Sequence, residues 1–266
     1  MVLKVILEVI FLCLCVCNCE AFSQQKIKDF HFSNYKEDGS KDLEIKGEEA
    51  LVFDTRVEIK DMDAVYYPKE REVNIKADKG TMYKQRMDAD LKDNVYIESD
   101  DGISLTTDSL HWEKSKGHVK TTDKVLVKKD SFSVEANGME GDTELEKLHF
   151  QENVEVNLPN KKAGTMVTVH CDGPLEVDYR EGSAVFNDNV VVESSEGKMF
   201  SDKATVFFLK DTKTIERIVS EGDVKIIRDD NVTFAEKATY IEAEKRLILE
   251  GRPRLILFPE DENTRN

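Results

Sequence analysis

Asp101-Gly102-Ile103-Ser104-Leu105-Thr106-Thr107-Asp108 decides how this chain is read. Asp-Gly is a turn pair, because glycine takes positive φ freely and aspartate bonds its own backbone. The residues behind it alternate apolar and polar with period two, as a half-buried strand does. An acidic residue then closes the stretch. The same plan recurs in Val73-Asn-Ile75-Lys-Ala77 before Asp78, in Phe132-Ser-Val134-Glu-Ala136 before Asn137, and in Val167-Thr-Val169-His-Cys171 before Asp172.

Working outward, the markers Asp78, Asp108, Asn137, Asp172, Asp202 and Glu236 stand 30, 29, 35, 30 and 34 residues apart. Each copy ends on an apolar pair: Val95/Ile97, Val125/Val127, Val154/Val156, Val190/Val192 and Val224/Ile226, with Leu255/Leu257 closing the last. Self-similarity at a fixed period is the mark of a stacked, elongated architecture. The sequence therefore predicts an all-β chain of about six repeats of roughly 30 residues. Turns are expected at Asp101-Gly102, Asn137-Gly138, Asp172-Gly173-Pro174 and Glu221-Gly222-Asp223. A helical turn is expected only near Gln25 to Phe30. The candidate boundary is Leu158-Pro-Asn-Lys-Lys-Ala-Gly164, where the marker spacing lengthens to 35.

With 266 residues, 39% of them hydrophobic, the chain is long enough to bury a sizeable core. Its 54 acidic against 38 basic residues argue against a nucleic-acid partner, because phosphate binding needs clustered Lys and Arg. Met-Val-Leu-Lys leads into an apolar run from Val5 to Cys17, broken by Glu8. That is the build of an export signal, either cleaved after Cys19-Glu20-Ala21 or retained as a short anchor. Lipid modification at Cys17 or Cys19 lacks the small residue expected before the modified cysteine. Cys13, Cys15, Cys17 and Cys19 lie in or beside this segment and leave Cys171 by itself, so no disulfide framework exists.

Catalytic readings fail simple tests. A carboxylate pair is needed once, whereas acidic markers recur in every repeat, so a turn or strand-end role is expected for them. His31, His111, His118, His149 and His170 show neither HExxH nor another zinc spacing. Ser99-Asp100-Asp101-Gly102 is a hairpin turn rather than a calcium loop. No enzyme, metal or other cofactor is expected. Lys124, Lys128 and Lys129 read as a solvated basic face.

The repeats offer instead a row of aliphatic side chains: Ile75, Val95, Ile97, Leu105, Val125, Val127, Val134, Val154, Val156, Val169, Val190, Val192, Val224 and Ile226. On one face of stacked strands these form a stripe roughly 30 to 60 Å long at ~4.8 Å per strand. Residue types alone leave a closed sandwich core and an open apolar groove equally compatible.

Leu43-Glu-Ile45-Lys-Gly-Glu-Glu-Ala50, Ile75-Lys-Ala77-Asp78-Lys-Gly80, Leu91-Lys-Asp-Asn-Val95 and Asp101 to Leu110 together resemble the LptC family of lipopolysaccharide export. Phe186-Asn-Asp-Asn-Val190-Val-Val192, Ser201-Asp-Lys-Ala204, Ser220-Glu-Gly-Asp-Val224 and Ala235-Glu-Lys-Ala238-Thr-Tyr240 resemble the LptA/OstA-like family. The resemblance implies an open, V-shaped β-jellyroll that holds acyl chains along the stripe. It also implies the arrangement: a signal or signal-anchor at 1–21, an LptC-like jellyroll at 22–160, an LptA-like one at 161–260 either hinged to the first or continuous with it, and a disordered tail at 261–266. The implied partners are lipopolysaccharide, an inner-membrane ABC transporter, and an LptA-like or outer-membrane assembly protein joined by edge-strand pairing. The implied place is the periplasm, with attachment to the inner membrane through the N-terminal segment. The alternative from another class is a structural or adhesive β-solenoid of the cell surface.

Overall fold

The computed structural model describes residues 25–68, 71–129, 132–143, 146–160, 165–209 and 215–257. The strands are β1 (Gln25–Tyr35), β2 (Lys41–Val52), β3 (Arg56–Tyr66), β4 (Val73–Tyr83), β5 (Ala89–Ser99), β6 (Ile103–Glu113), β7 (His118–Lys129), β8 (Phe132–Asp142) and β9 (Lys147–Asn160). They continue as β10 (Thr165–Cys171), β11 (Leu175–Asp178), β12 (Ser183–Ser194), β13 (Gly197–Phe208), β14 (Ile215–Arg228), β15 (Asn231–Ile241), β16 (Arg246–Glu250) and β17 (Arg254–Ile256). All join one antiparallel sheet. From β1 to β9 each strand pairs with the next. β10 and β11 share the following rung between β9 and β12. β12 to β15 resume the meander, and β16 and β17 share the last rung on β15.

The strands are long because each contributes to two walls. Halfway along, the register shifts, as between Lys76 and Lys79, Lys92 and Val95, Thr121 and Lys124, Asn187 and Val190, and Glu221 and Val224. These are bulges, which bend a strand and sharpen its twist. Left-handed backbone marks the same places, at Asp61, Asp93, Asn94, Asn153, Asp188, Asn189 and Asp223. Asp and Asn tolerate that region better than other side-chain-bearing residues. At Gly138 and Gly222, both with positive φ, an added Cβ would collide with the Gln151 and Asp202 side chains of the adjacent strand. The sheet thus folds along one spine into a V-shaped, elongated β-jellyroll.

This spine corrects two sequence expectations. Asn137-Gly138 and Glu221-Gly222-Asp223 lie inside β8 and β14 and are not turns between strands. Asp172-Gly173-Pro174 links β10 to β11, the two halves of one bent rung. The markers Asp78, Asp108, Asp202 and Glu236 likewise sit within β4, β6, β13 and β15, neither in turns nor at strand ends. A bulge and a hairpin turn draw on the same tolerance for positive φ, so their residue signatures coincide. Asp101-Gly102 does form the β5–β6 hairpin turn. The markers brace the spine: Asn94 Nδ2 donates to Asp78 Oδ2 at 2.7 Å, and Asn189 Nδ2 to Asp172 Oδ2 at 2.7 Å. The expected helical turn at Gln25 to Phe30 is strand, its backbone paired with β2 from Gln25↔Val52 onward. The leader at 1–21, its cysteines and the tail at 261–266 lie outside the described residues.

One 30-residue repeat is therefore a hairpin of two bent strands. Its alternating residues supply both walls, and the main buried cluster unites side chains of the two, from Leu43 to Val206. Val224, Ala235 and Ala238 form a smaller cluster beyond it.

Candidate functional site

Directly paired residues of an antiparallel sheet project from the same face. Tracing the register gives the first wall a row running Phe32, Ile45, Ala64, Ile75, Ile97, Leu105, Val127, Val134, Val156, Val169, Val192, Met199, Ile226, Thr233, Leu255. Nine of the fourteen stripe residues belong to this row. The other five, Val95, Val125, Val154, Val190 and Val224, lie two residues nearer the spine on the same face. All fourteen line the inside of the V.

The opposite wall was missed from sequence. Its row closest to the spine runs Thr121, Met139, Phe150, Leu175, Phe186, Ala204, Ser220, Ala238 and Leu249. A second row pairs Ala89, Trp112, Val119, Gly141, Leu148 and Val177. The signal was present in Ser109-Leu110-His111-Trp112, where alternation resumes beyond Asp108. Reading the marker as a strand end hid it.

Exposure along the first row is graded. Val127, Val134 and Val156 are 5%, 1% and 1% exposed, so the middle is sealed by its own side chains. Val192, Met199 and Ile226 are half-buried, and Leu255 is 59% exposed. At the other end Phe32 is 45% exposed. Both ends of the interior meet solvent, and the stretch from β12 to β17 is the longer unsealed one.

Where the middle is sealed, side chains bridge the mouth of the V. Tyr66 on the first wall packs against Trp112 on the second, ring centroids 5.0 Å apart. Lys114 pairs with Asp42 across the same gap, its ammonium 6.0 Å from each of the two ring centres. Behind this contact lies a cavity of about 50 Å³, bounded by Ile75, Ile97 and Leu105 from one wall and Leu91, Leu110, Trp112 and Val119 from the other. Arg71 and Ser99 also line it. Burial works against the nearby Asp101 carboxylate, but the Ser99 hydroxyl, Lys129 and Arg71 hold its pKa below the usual range. Tyr179, from the second wall, is raised by burial and then by the charge of Asp101.

Next to Trp112, Glu113 is held at about 2 by hydrogen bonds from Lys116 and Lys120. A carboxyl whose folded pKa lies below its ordinary value of 4.5 contributes stability that is complete above 4.5 and vanishes as pH falls through about 2. Glu113→Gln is therefore expected to flatten the acid limb of a urea-stability profile between about pH 4.5 and 2. Stability above pH 5 then depends less on pH than on the loss of those two pairs. Parallel wild-type and variant profiles across that window check it.

Among the described residues, no group of three or more His, Cys, Asp or Glu could hold a metal ion. Burial pushes the Cys171 thiol up to about 11, which marks an inert packing residue. Lys129 pairs with Asp101 at 3.0 Å and Lys124 with Glu135 at 2.5 Å, while Lys128 is exposed on the outer face. No helix among the described residues is long and apolar enough to cross a membrane.

Two family models match. Residues 23–158 match LptC, described as lipopolysaccharide-assembly, LptC-related. Residues 173–264 match the LptA/(LptD N-terminal domain) LPS transport protein model. No curated protein matches the chain.

Proposed function

This chain belongs to the lipopolysaccharide-assembly, LptC-related family, continued by an LptA-like region, and from that membership we propose that it carries lipopolysaccharide across the periplasm along the inside of its V. Participation in lipopolysaccharide transport, and the periplasm as its setting, follow from the families themselves. The route along the stripe, the bridging role and the partners are our reading. One observation supports it most: the row of largely aliphatic side chains runs on through half-buried Val192, Met199 and Ile226 and, past Thr233, ends on exposed Leu255 rather than on a polar cap.

The physical need is plain. Exposing a twelve-carbon acyl chain to water costs on the order of 10 kcal/mol, at about 0.8 per methylene. A lipid with several such chains cannot cross an aqueous compartment uncovered. An aliphatic trough covers the chains without fixed polar contacts, so they slide while the sugar and phosphate head stays in water. β1 has its ladder on β2, and β16 and β17 have theirs on β15. The outer edges of these rungs accept further strands by addition. In this reading one edge meets the inner-membrane ABC transporter complex and the other an LptA-like or outer-membrane assembly protein. The transporter supplies the energy, and this chain makes or breaks no bond. Residues 22–160 and 161–260 then act as two lengths of one covalent path, which replaces a bimolecular docking step with an intramolecular one.

A photo-crosslinking residue at Val192 is expected to trap lipopolysaccharide in cells, while the same residue at Lys128, on the outer face, traps none. Absence of adducts at both Val192 and Ile226 removes the proposal.

A further inference from the structure

On the outer face of the first wall, Phe200, Lys225, Phe234 and Arg254 stand opposite one another in direct register on β13, β14, β15 and β17. Ring and cation alternate along this line. The Lys225 ammonium lies 5.6 Å from the Phe200 ring centre, and the Arg254 guanidinium 5.4 Å from that of Phe234. Among the described residues neither cation forms an ion pair, although the chain carries 54 acidic side chains. Beside the line, Ile227, Val232 and Ile256 are paired on the same outer face, and Ile256 is 46% exposed. Traced back through the register, the line becomes mostly polar, passing Glu155, Glu135, Thr106, Lys76 and Asp63. A face that is polar over most of its length and turns aromatic, aliphatic and cationic at one end marks an interaction surface.

We propose that this ladder continues into a partner protein, whose joining strand pairs with β17 and sets an aromatic side chain against Arg254 on the outer face. The inference rests on the strand-addition part of the reading above and adds to it the chemistry by which the edge recognises its partner. Lys225 has a phenylalanine on either side in register, on β13 and on β15. Arg254 has one on β15 and is exposed at the edge, so the alternation stops one ring short. A planar guanidinium stacks on aromatic faces and is only weakly hydrated, which suits it to be covered from both sides. A second copy of this chain does not fit. Strand direction reverses at every rung, so β1 and the β16/β17 rung run the same way, and a copy stacked with its interior in line would meet β17 in parallel. Pairs within this sheet are antiparallel, and a parallel pair is slightly less stable per residue. The phenylalanines of β1, Phe30 and Phe32, also belong to its inner face, and its outer face offers His31 paired with Lys46. An anionic bilayer fits no better, because two cations are too few to hold a chain of net charge −16 on it.

The test uses a fluorescein-labelled peptide copying Asn231–Ile241, whose Phe234 already faces Arg254 from the β15 side. Added antiparallel to the free edge of the β16/β17 rung, it sets the same ring against the other side of the same guanidinium. The full chain is titrated into this peptide and into its Phe234→Ala form, with anisotropy as the readout. The expected result is saturable binding of the first and roughly 3- to 10-fold weaker binding of the second. Arg254→Ala in the full chain should weaken the phenylalanine peptide by the same factor and the alanine peptide hardly at all, since ring and cation act as one pair. Equal binding of the two peptides overturns the inference, as does an Arg254→Ala effect of the same size on both, or binding of neither. Sedimentation of the chain by itself should give a monomer, and head-to-tail polymers would overturn the exclusion of a second copy. The lipid-carrying reading is judged separately by the Val192 adduct, which does not depend on Arg254.

Discussion

Phe150→Ala is expected to lower the unfolding free energy by about 3–5 kcal/mol, among the largest effects of any single truncation in this chain. Phe150 is 1% exposed and sits on the second wall between Met139 and Leu175, directly paired with both. Its removal takes away a large apolar surface and leaves a void that neighbours on two rigid strands cannot fill. At about 2–4 °C per kcal/mol for a chain of this size, the melting midpoint should fall by roughly 6–20 °C. Circular dichroism on heating checks it. An unchanged midpoint would mean that the two walls are not packed against each other there.

Placing a carboxylate in the unsealed stretch should do the reverse, sparing the fold and removing the function. Ile226→Asp puts its charge where the wall is half-buried and water still reaches, so the protein is expected to fold with its midpoint little changed. The carboxylate must then be stripped of water whenever an acyl chain lies across it, at a cost of several kcal/mol. Trapping of lipopolysaccharide by a crosslinker at Val192 should drop at least about tenfold, given about 1.4 kcal/mol per decade. The matched control is Val134→Asp in the sealed middle, which buries the same charge without water and should prevent folding. Equal trapping in Ile226→Asp and parent would show that lipid does not pass this rung.

The contrast between these two positions also marks what could be read from sequence. Val134 and Ile226 both appear in the alternating pattern, because alternation records which face a residue occupies. It does not record how closely the opposite wall approaches. That distance depends on Phe150, Leu175 and Trp112, which reach the interior only after the strand has turned at its marker. The markers themselves were legible as a repeat but not as a spine, since Asn137-Gly138 has one signature for a hairpin turn and for a bulge. The mouth contacts had no local signal at all. Asp42 and Lys114 are 72 residues apart, and only the stacked register brings them together. The match to the LptC-related family was legible because repeat order survives where single motifs are degenerate.

The pairing of each strand with its sequence neighbour sets a further property of the molecule. The path holds fifteen successive rungs, which at ~4.8 Å each amounts to roughly 70 Å of contour. No rung depends on a partner distant in sequence, so contour can be altered one hairpin at a time while the cross-section stays fixed. Gene duplication or loss of a single hairpin would then retune reach to the width of a cell envelope, leaving the bore untouched.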